Sequence, residues 1–174
     1  GTESDNNAIN GTLVSLPNRR KIITSRVEHP AVLAVCREWA NHGYTVAEIG
    51  VDKHGRLDMN QLEDELDEDT AIVSIMYANN ETGTIFPIEK IAQMVKDKGA
   101  VFHTDAVQAV GKIPMNLSRS NIDLLSISGH KLHAPKGIGV LYVRKGTRLS
   151  PFMLGGHQEG GRRAGTENVP GIVG

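Results

Sequence analysis

Short β-rich runs alternate with amphipathic helical stretches along nearly the whole chain, and this alternation specifies an α/β architecture with a mainly parallel sheet. Strands are expected at residues 21–27 (KIITSRV), 45–51, 71–78 (AIVSIMYA), 101–106, 123–128 and 137–144 (GIGVLYVR). The unbroken apolar character of AIVSIMYA points to a strand covered on both faces. Between the strands, Val32, Val35, Cys36 and Trp39 recur at i, i+3, i+4 and i+7, the stripe of an amphipathic helix. Ile88, Ile91, Ala92 and Val95 repeat that spacing, with Pro87 where a first helical residue belongs. Asp58 and Gln61 resemble a capping box that opens a short helix through Met59, Leu62 and Leu66. No internal repeat, low-complexity tract or long linker interrupts the pattern. A length of 174 residues suits one domain, so residues 1–174 read as a single α/β unit.

Composition removes several classes of function. Nineteen Lys and Arg against twenty Asp and Glu leave a net charge of -1, so there is no electrostatic case for nucleic acid or an anionic membrane as partner. One cysteine excludes an internal disulfide framework and a cysteine-based zinc site. No apolar run is long enough to span a bilayer, and no secretory signal is present. A reducing, cytoplasmic setting is the expectation. The chain opens at Gly1-Thr2-Glu3-Ser4 without an initiator Met and ends at Gly174, which reads as a piece of something longer.

In open parallel sheets, ligands bind beyond the carboxyl ends of the strands. The polar residues after each expected strand are His29, then Asn79-Asn80-Glu81, then Asp105 and Gln108, then Ser128-Gly129-His130-Lys131. Their coincidence on one rim is the signal. Alone, Asp105 reads most simply as an acid that ends a strand and caps the next turn, rather than a carboxylate holding a cationic ring nitrogen or a metal. Lys131 reads either as an ordinary exposed lysine or, given small residues at an abrupt strand end, as a partly desolvated amine able to form a Schiff base. Thr2 with Asp5 fits a helix start. That start is either a plain cap or, with Ser128, a phosphate site.

Other motifs carry less. Gly137-Ile138-Gly139 enters a strand, not a helix, and is no dinucleotide fingerprint. His130 and His133 lack a convincing third ligand, so no metal site is expected. Cys36 lies on an apolar stripe and reads as a packed core thiol. Residues 155–168 (GGHQEGGRRAGTEN) are either a flexible surface loop or an anion-binding rim.

Taken in order, GTESDN, VEHPAV, ANNETG, HTDAVQAVGK, SGHKLHAPKGIG and GGRRAGTENVPGI resemble the cysteine desulfurases of the pyridoxal-phosphate fold type I, class V aminotransferase group. The likeness is closest to the NifS-like branch associated with nitrogen fixation and covers essentially the whole chain. It implies a three-layer α/β/α large domain, incomplete at both ends, that binds pyridoxal 5'-phosphate. By resemblance, Lys131 would form the Schiff base, Asp105 would pair with the protonated pyridine nitrogen, and Gln108 would hydrogen-bond the phenolic oxygen. His29 would stack on the ring and assist proton transfer, while Asn80 would touch the cofactor near that oxygen and orient the substrate. Thr2, Ser128 and His130 would hold the phosphate, and Thr166 would reach the phosphate of a neighbouring subunit in a homodimer.

The same resemblance implies conversion of L-cysteine to L-alanine. The sulfur would pass as an enzyme persulfide to an iron–sulfur scaffold or other acceptor protein, with nitrogenase assembly one destination. The family's nucleophilic cysteine lies on a loop beyond residue 174, so Cys36 does not inherit that role. The family's upstream segment and smaller C-terminal domain are expected to be missing, which would leave the fragment alone inactive. His157 stands where the family usually has another glycine. The competing readings are a selenocysteine lyase-type enzyme and a non-catalytic scaffold or interaction fragment.

Overall fold

Isoleucine, valine and threonine dominate the strand segments, and their branched side chains suit a pleated surface packed on both sides. A computed structural model, which describes all residues 1–174, places them in one six-stranded sheet. The strands are β1 (Lys21–Ser25), β2 (Thr45–Ile49), β3 (Thr70–Ser74), β4 (Val101–Asp105), β5 (Leu124–Ser128) and β6 (Gly139–Val143). Their order is β2-β1-β3-β4-β5-β6, with β1 to β5 parallel and β6 antiparallel to β5. The helices are α1 (Thr2–Ser15), α2 (Pro30–Asn41), α3 (Met59–Glu65), α4 (Ile88–Asp97) and α5 (Val169–Val173).

Both faces of the sheet are covered, as the apolar run at β3 anticipates. Successive residues point to opposite sides. Ile22 and Ile72 pack with Ile9, Leu13, Val32 and Val35 of α1 and α2. Ile23 and Val73 pack with Leu62, Ile91, Val95 and Phe102 on the α3 and α4 side. The result is the expected three-layer α/β/α fold.

Several elements differ from expectation in detail. β3 ends at Ser74 rather than residue 78. Beyond it, Ile75 and Tyr77 still donate to carbonyls of β4, but the Met76 N–H turns to the Glu28 carboxylate at 2.9 Å and the ladder breaks. Pro87 is the residue before α4 rather than its first. Asp58 does cap α3, accepting from the Asn60 and Gln61 amides, but the Gln61 side chain accepts from Gly50 N–H instead of returning to the cap. Gly1 precedes α1 and Thr2 is its first residue, so Thr2 is no side-chain cap, and neither is Asp5, which is buried against the sheet.

The connection from β4 to β5 contains no α-helix. Arg144 holds it in place, donating to the carbonyls of Leu117, Ser120 and Ile122 at 2.7–2.9 Å. No helix is long and apolar enough to cross a membrane.

Candidate active site

The strand order reverses between β1 and β3, and the loops beyond the carboxyl ends of β1, β3, β4 and β5 open onto one cleft of about 940 Å³. Such a reversal is where parallel sheets bind ligands. His29, Asn80, Asp105, Gln108, Ser128, His130 and Lys131 all line this cleft, together with Thr2 from α1 and Thr166 from the glycine-rich loop. The nine residues that the resemblance assigns to cofactor binding are therefore in one place. Thr166 lines the cleft of its own chain.

The floor is a carboxylate. Asp105 ends β4 and is 7 % exposed, and its Oδ1 accepts the Val107 N–H at 2.9 Å. Burial pushes its pKa above the ordinary carboxylate range, because a desolvated charge is costly. A cationic group above it would offset that cost.

Lys131 lies on the single 3-10 turn Gly129–Leu132 that follows β5. It forms no hydrogen bond or ion pair and is exposed to the cleft, the first of the two readings the sequence leaves open, because nothing in this chain covers it. Gly129 lets the turn close tightly: a Cβ there would meet Ile138 O at 3.1 Å and the Ala134 Cβ at 3.2 Å.

The wall is an anion site in form. The first helical hydrogen bond of α1 runs from Asp5 N–H to Gly1 O, and no side chain caps the amides before it. Those free amides and the helix dipole of a fourteen-residue helix face the cleft with Ser128 and His130, whose Oγ and Nδ1 lie 2.8 Å apart.

His29 has a second role that strand-end reasoning missed. It caps α2, its Nδ1 accepting the Ala31 N–H at 3.1 Å. A ring nitrogen that accepts leaves the proton of the neutral ring on Nε2. Asn79, by contrast, is consumed by its own turn, accepting from Glu81 N–H, Thr82 N–H and Thr82 Oγ1, which leaves Asn80 as the asparagine of this loop that lines the cleft. Gln108 accepts from Lys112 at 2.9 Å. The glycine-rich loop is fastened to α1 by Arg163, whose Nε donates to Glu3 Oε1 at 2.8 Å, so its arginines form a rim rather than a free surface loop.

Cys36 is 1 % exposed, and burial pushes its thiol up to about 12. A thiol-specific reagent is expected to leave Cys36 unmodified in the folded protein and to react fully after denaturation. Rapid labelling under native conditions would contradict that packing.

A parallel sheet with a buried carboxylate, a free lysine and an uncapped helix start converging at its switch point makes an α/β fold whose cleft suits a small anionic ligand. The Aminotransferase class-V family matches residues 1–174, and the chain belongs to that family. It is 64% identical over 174 residues to the cysteine desulfurase of Nostoc sp. (strain PCC 7120 / SAG 25.82 / UTEX 2576), covering 100% of this chain and 44% of the relative. It is 59% identical to the cysteine desulfurase NifS of Azotobacter vinelandii, covering 100% of this chain and 43% of that protein. Among solved structures, a NifS-like protein superposes with a TM-score of 0.95 at 45% identity, covering 99% of this chain and 48% of that one. The chain thus spans less than half the length of the curated relatives it matches.

Proposed function

We propose that the protein carrying this chain is a pyridoxal-phosphate-dependent cysteine desulfurase, and that the chain supplies the cofactor-binding part of its active site. The observation that carries the reading is the convergence of Lys131, Asp105 and the free amides of α1 in one cleft. A similar protein supports it: a structure described as SspA in complex with cysteine superposes with a TM-score of 0.93 at 39% identity.

The donor set fits the cofactor. Its phosphate needs amides and hydroxyls, which α1, Thr2 and Ser128 offer beside His130. Its ring nitrogen, when protonated, needs an anion, which Asp105 offers. Its aldehyde needs an unpaired amine, which Lys131 offers. When bound, pyridoxal phosphate supplies an electron sink for charge developing at the substrate α-carbon.

The chain's own residues then have distinct tasks. Asp105 holds the proton on the ring nitrogen. Lys131, the unpaired amine on the turn after β5, would hold the cofactor. The His29 ring stands over the cleft with its Nε2–H free to donate, while Nδ1 is tied to α2. Asn80 and Gln108 orient the phenolic oxygen and the substrate. Cys36 is too deeply buried to receive sulfur, so the persulfide would form on a thiol outside these 174 residues.

L-Cysteine as substrate, L-alanine as product and delivery of sulfur to iron–sulfur cluster assembly belong to the same proposal. So do a homodimer and a cytoplasmic location. Most exposed large apolar side chains, including Val140, Leu154, Val169 and Ile172, fall between residues 132 and 173, which supports association through that region. A free thiol in place of disulfides agrees with a reducing compartment.

Supplying the protein that carries this chain with L-cysteine and a reductant should release alanine and sulfide in equal amounts. Absence of alanine would overturn the reading. Release from selenocysteine alone would move it to a selenocysteine lyase.

A further inference from the structure

Beneath the cleft lies a polar chain that the desulfurase reaction does not use. His103 and Asp105 are two residues apart on β4 and share one face of the sheet. The Ser74 Oγ lies 2.8 Å from His103 Nδ1, and the Ser126 Oγ lies 2.9 Å from its Nε2. A line of polar groups thus crosses β3, β4 and β5 in a fully buried position. Asp5, from the first turns of α1, closes on this line: its Oδ1 is 3.7 Å from His103 Nε2 and has no hydrogen-bond partner.

That contact has the geometry of an ion pair without the charges. His103 is wholly buried, and desolvation pushes its pKa down to about 3, so the ring is neutral and offers one N–H to two hydroxyls. The titratable groups facing Asp5 are Asp105 and His103 from β4 and Glu28 from the turn after β1. Glu28 is itself pushed up to about 8 by burial. No lysine or arginine pairs with Asp5.

Two buried carboxylates that sense each other's charge do not ionise independently, and the pKa of one is raised. The geometry decides which keeps the proton. Asp105 accepts a backbone N–H, which favours its charged form, while Asp5 is 1 % exposed and has only the Ser126 hydroxyl nearby to favour its charge, against the larger cost of burial. Burial first, and the nearby Asp105 second, raise Asp5 to about 7.

We propose that Asp5 is a positioning residue that stays protonated while the cofactor is seated, directing its O–H into the Ser126–His103–Ser74 chain so that Asp105 is the single anion facing the ring. The role rests on the pyridoxal-phosphate reading. Ionised Asp5 would add a second buried negative charge below the α1 amides that receive the phosphate. As pH rises through neutrality Asp5 loses its proton, so cofactor affinity should fall on the alkaline side.

The test compares the holoenzyme with D5N, which keeps a neutral, planar side chain of the same size. D5N is expected to bind pyridoxal phosphate within about twofold of the unsubstituted protein at neutral pH. It should also lose about tenfold less affinity on going alkaline, the equivalent of one pKa unit of coupling. In the absence of cofactor, the protonated-carboxyl infrared band at neutral pH should be weaker in D5N than in the unsubstituted protein, with the remainder belonging to Glu28. An unchanged alkaline profile, no infrared difference, or a tenfold loss at neutral pH with an unaltered thermal midpoint would overturn the role. If D5N does not fold, carbon-13 carboxyl shifts of labelled aspartates in the unsubstituted protein decide whether a buried aspartate is protonated. Failure of the unsubstituted protein to bind the cofactor at any pH would overturn the cofactor reading itself, and the role with it.

Discussion

Replacing Lys131 with alanine is expected to abolish covalent trapping of pyridoxal phosphate while leaving the fold intact. Lys131 is the one lysine among the cleft residues, and it lies free of hydrogen bonds and ion pairs on the turn after β5. Its neighbours cannot substitute. Lys112 is bound to Gln108, and the arginines of the rim stay protonated and are not nucleophiles. After borohydride reduction, peptide mass analysis should find the cofactor on the peptide containing Lys131 and nowhere else. K131A should carry none, and K131R should also carry none although it keeps the positive charge. Because the side chain is exposed and contacts no buried group, the stability change should stay within about 0.5 kcal/mol, read from the thermal midpoint. Label fixed to another amine, such as Lys136, would sink the assignment.

That such a prediction can be aimed at one residue reflects how the sequence exposes a parallel sheet. The runs at β1 and β3 carry adjacent branched residues, Ile22-Ile23 and Ile72-Val73, that pack to opposite faces, so an unbroken apolar string reveals a doubly covered strand. Once strands are located, the polar residue after each one marks the cleft. This is why His29, Asn80, Asp105 and Lys131, far apart in the chain, can be gathered from sequence alone. Strand ends are less legible, because β3 stops where the Met76 N–H finds the Glu28 carboxylate, a partner 48 residues away.

Contacts of that kind also hide the layer below the site. Asp5 reads locally as part of a helix start, and only the packing of α1 over β4 and β5 turns it towards His103 and Ser126. A cue is present: in HTD the histidine and aspartate must share a face of their strand. His29 likewise joins strand-end position to helix capping, and only its extended backbone, φ -61 and ψ 146, shows the second role.

The second large effect should follow from Asp105, and here charge and shape can be separated. D105N keeps the acceptor for the Val107 N–H but removes the charge, whereas D105A removes both. Leaving a buried charge without its partner costs about 3–5 kcal/mol. At about 1.4 kcal/mol per tenfold, either change should lower alanine release by on the order of 10²- to several-10³-fold. D105N should unfold at a temperature close to that of the unsubstituted protein, and D105A somewhat lower. The acid limb of the pH profile carries the sign. Burial raises the Asp105 pKa in the free protein, so the pairing with a cationic ring is present at high pH and is lost as pH falls through that raised value. Cofactor retention should therefore weaken at a higher pH than an exposed aspartate would produce, and this limb should be absent from D105N. An Asp105→Asn protein that kept the same acid limb and the same turnover would show that the buried carboxylate does not hold the ring, whatever its place on the floor of the cleft.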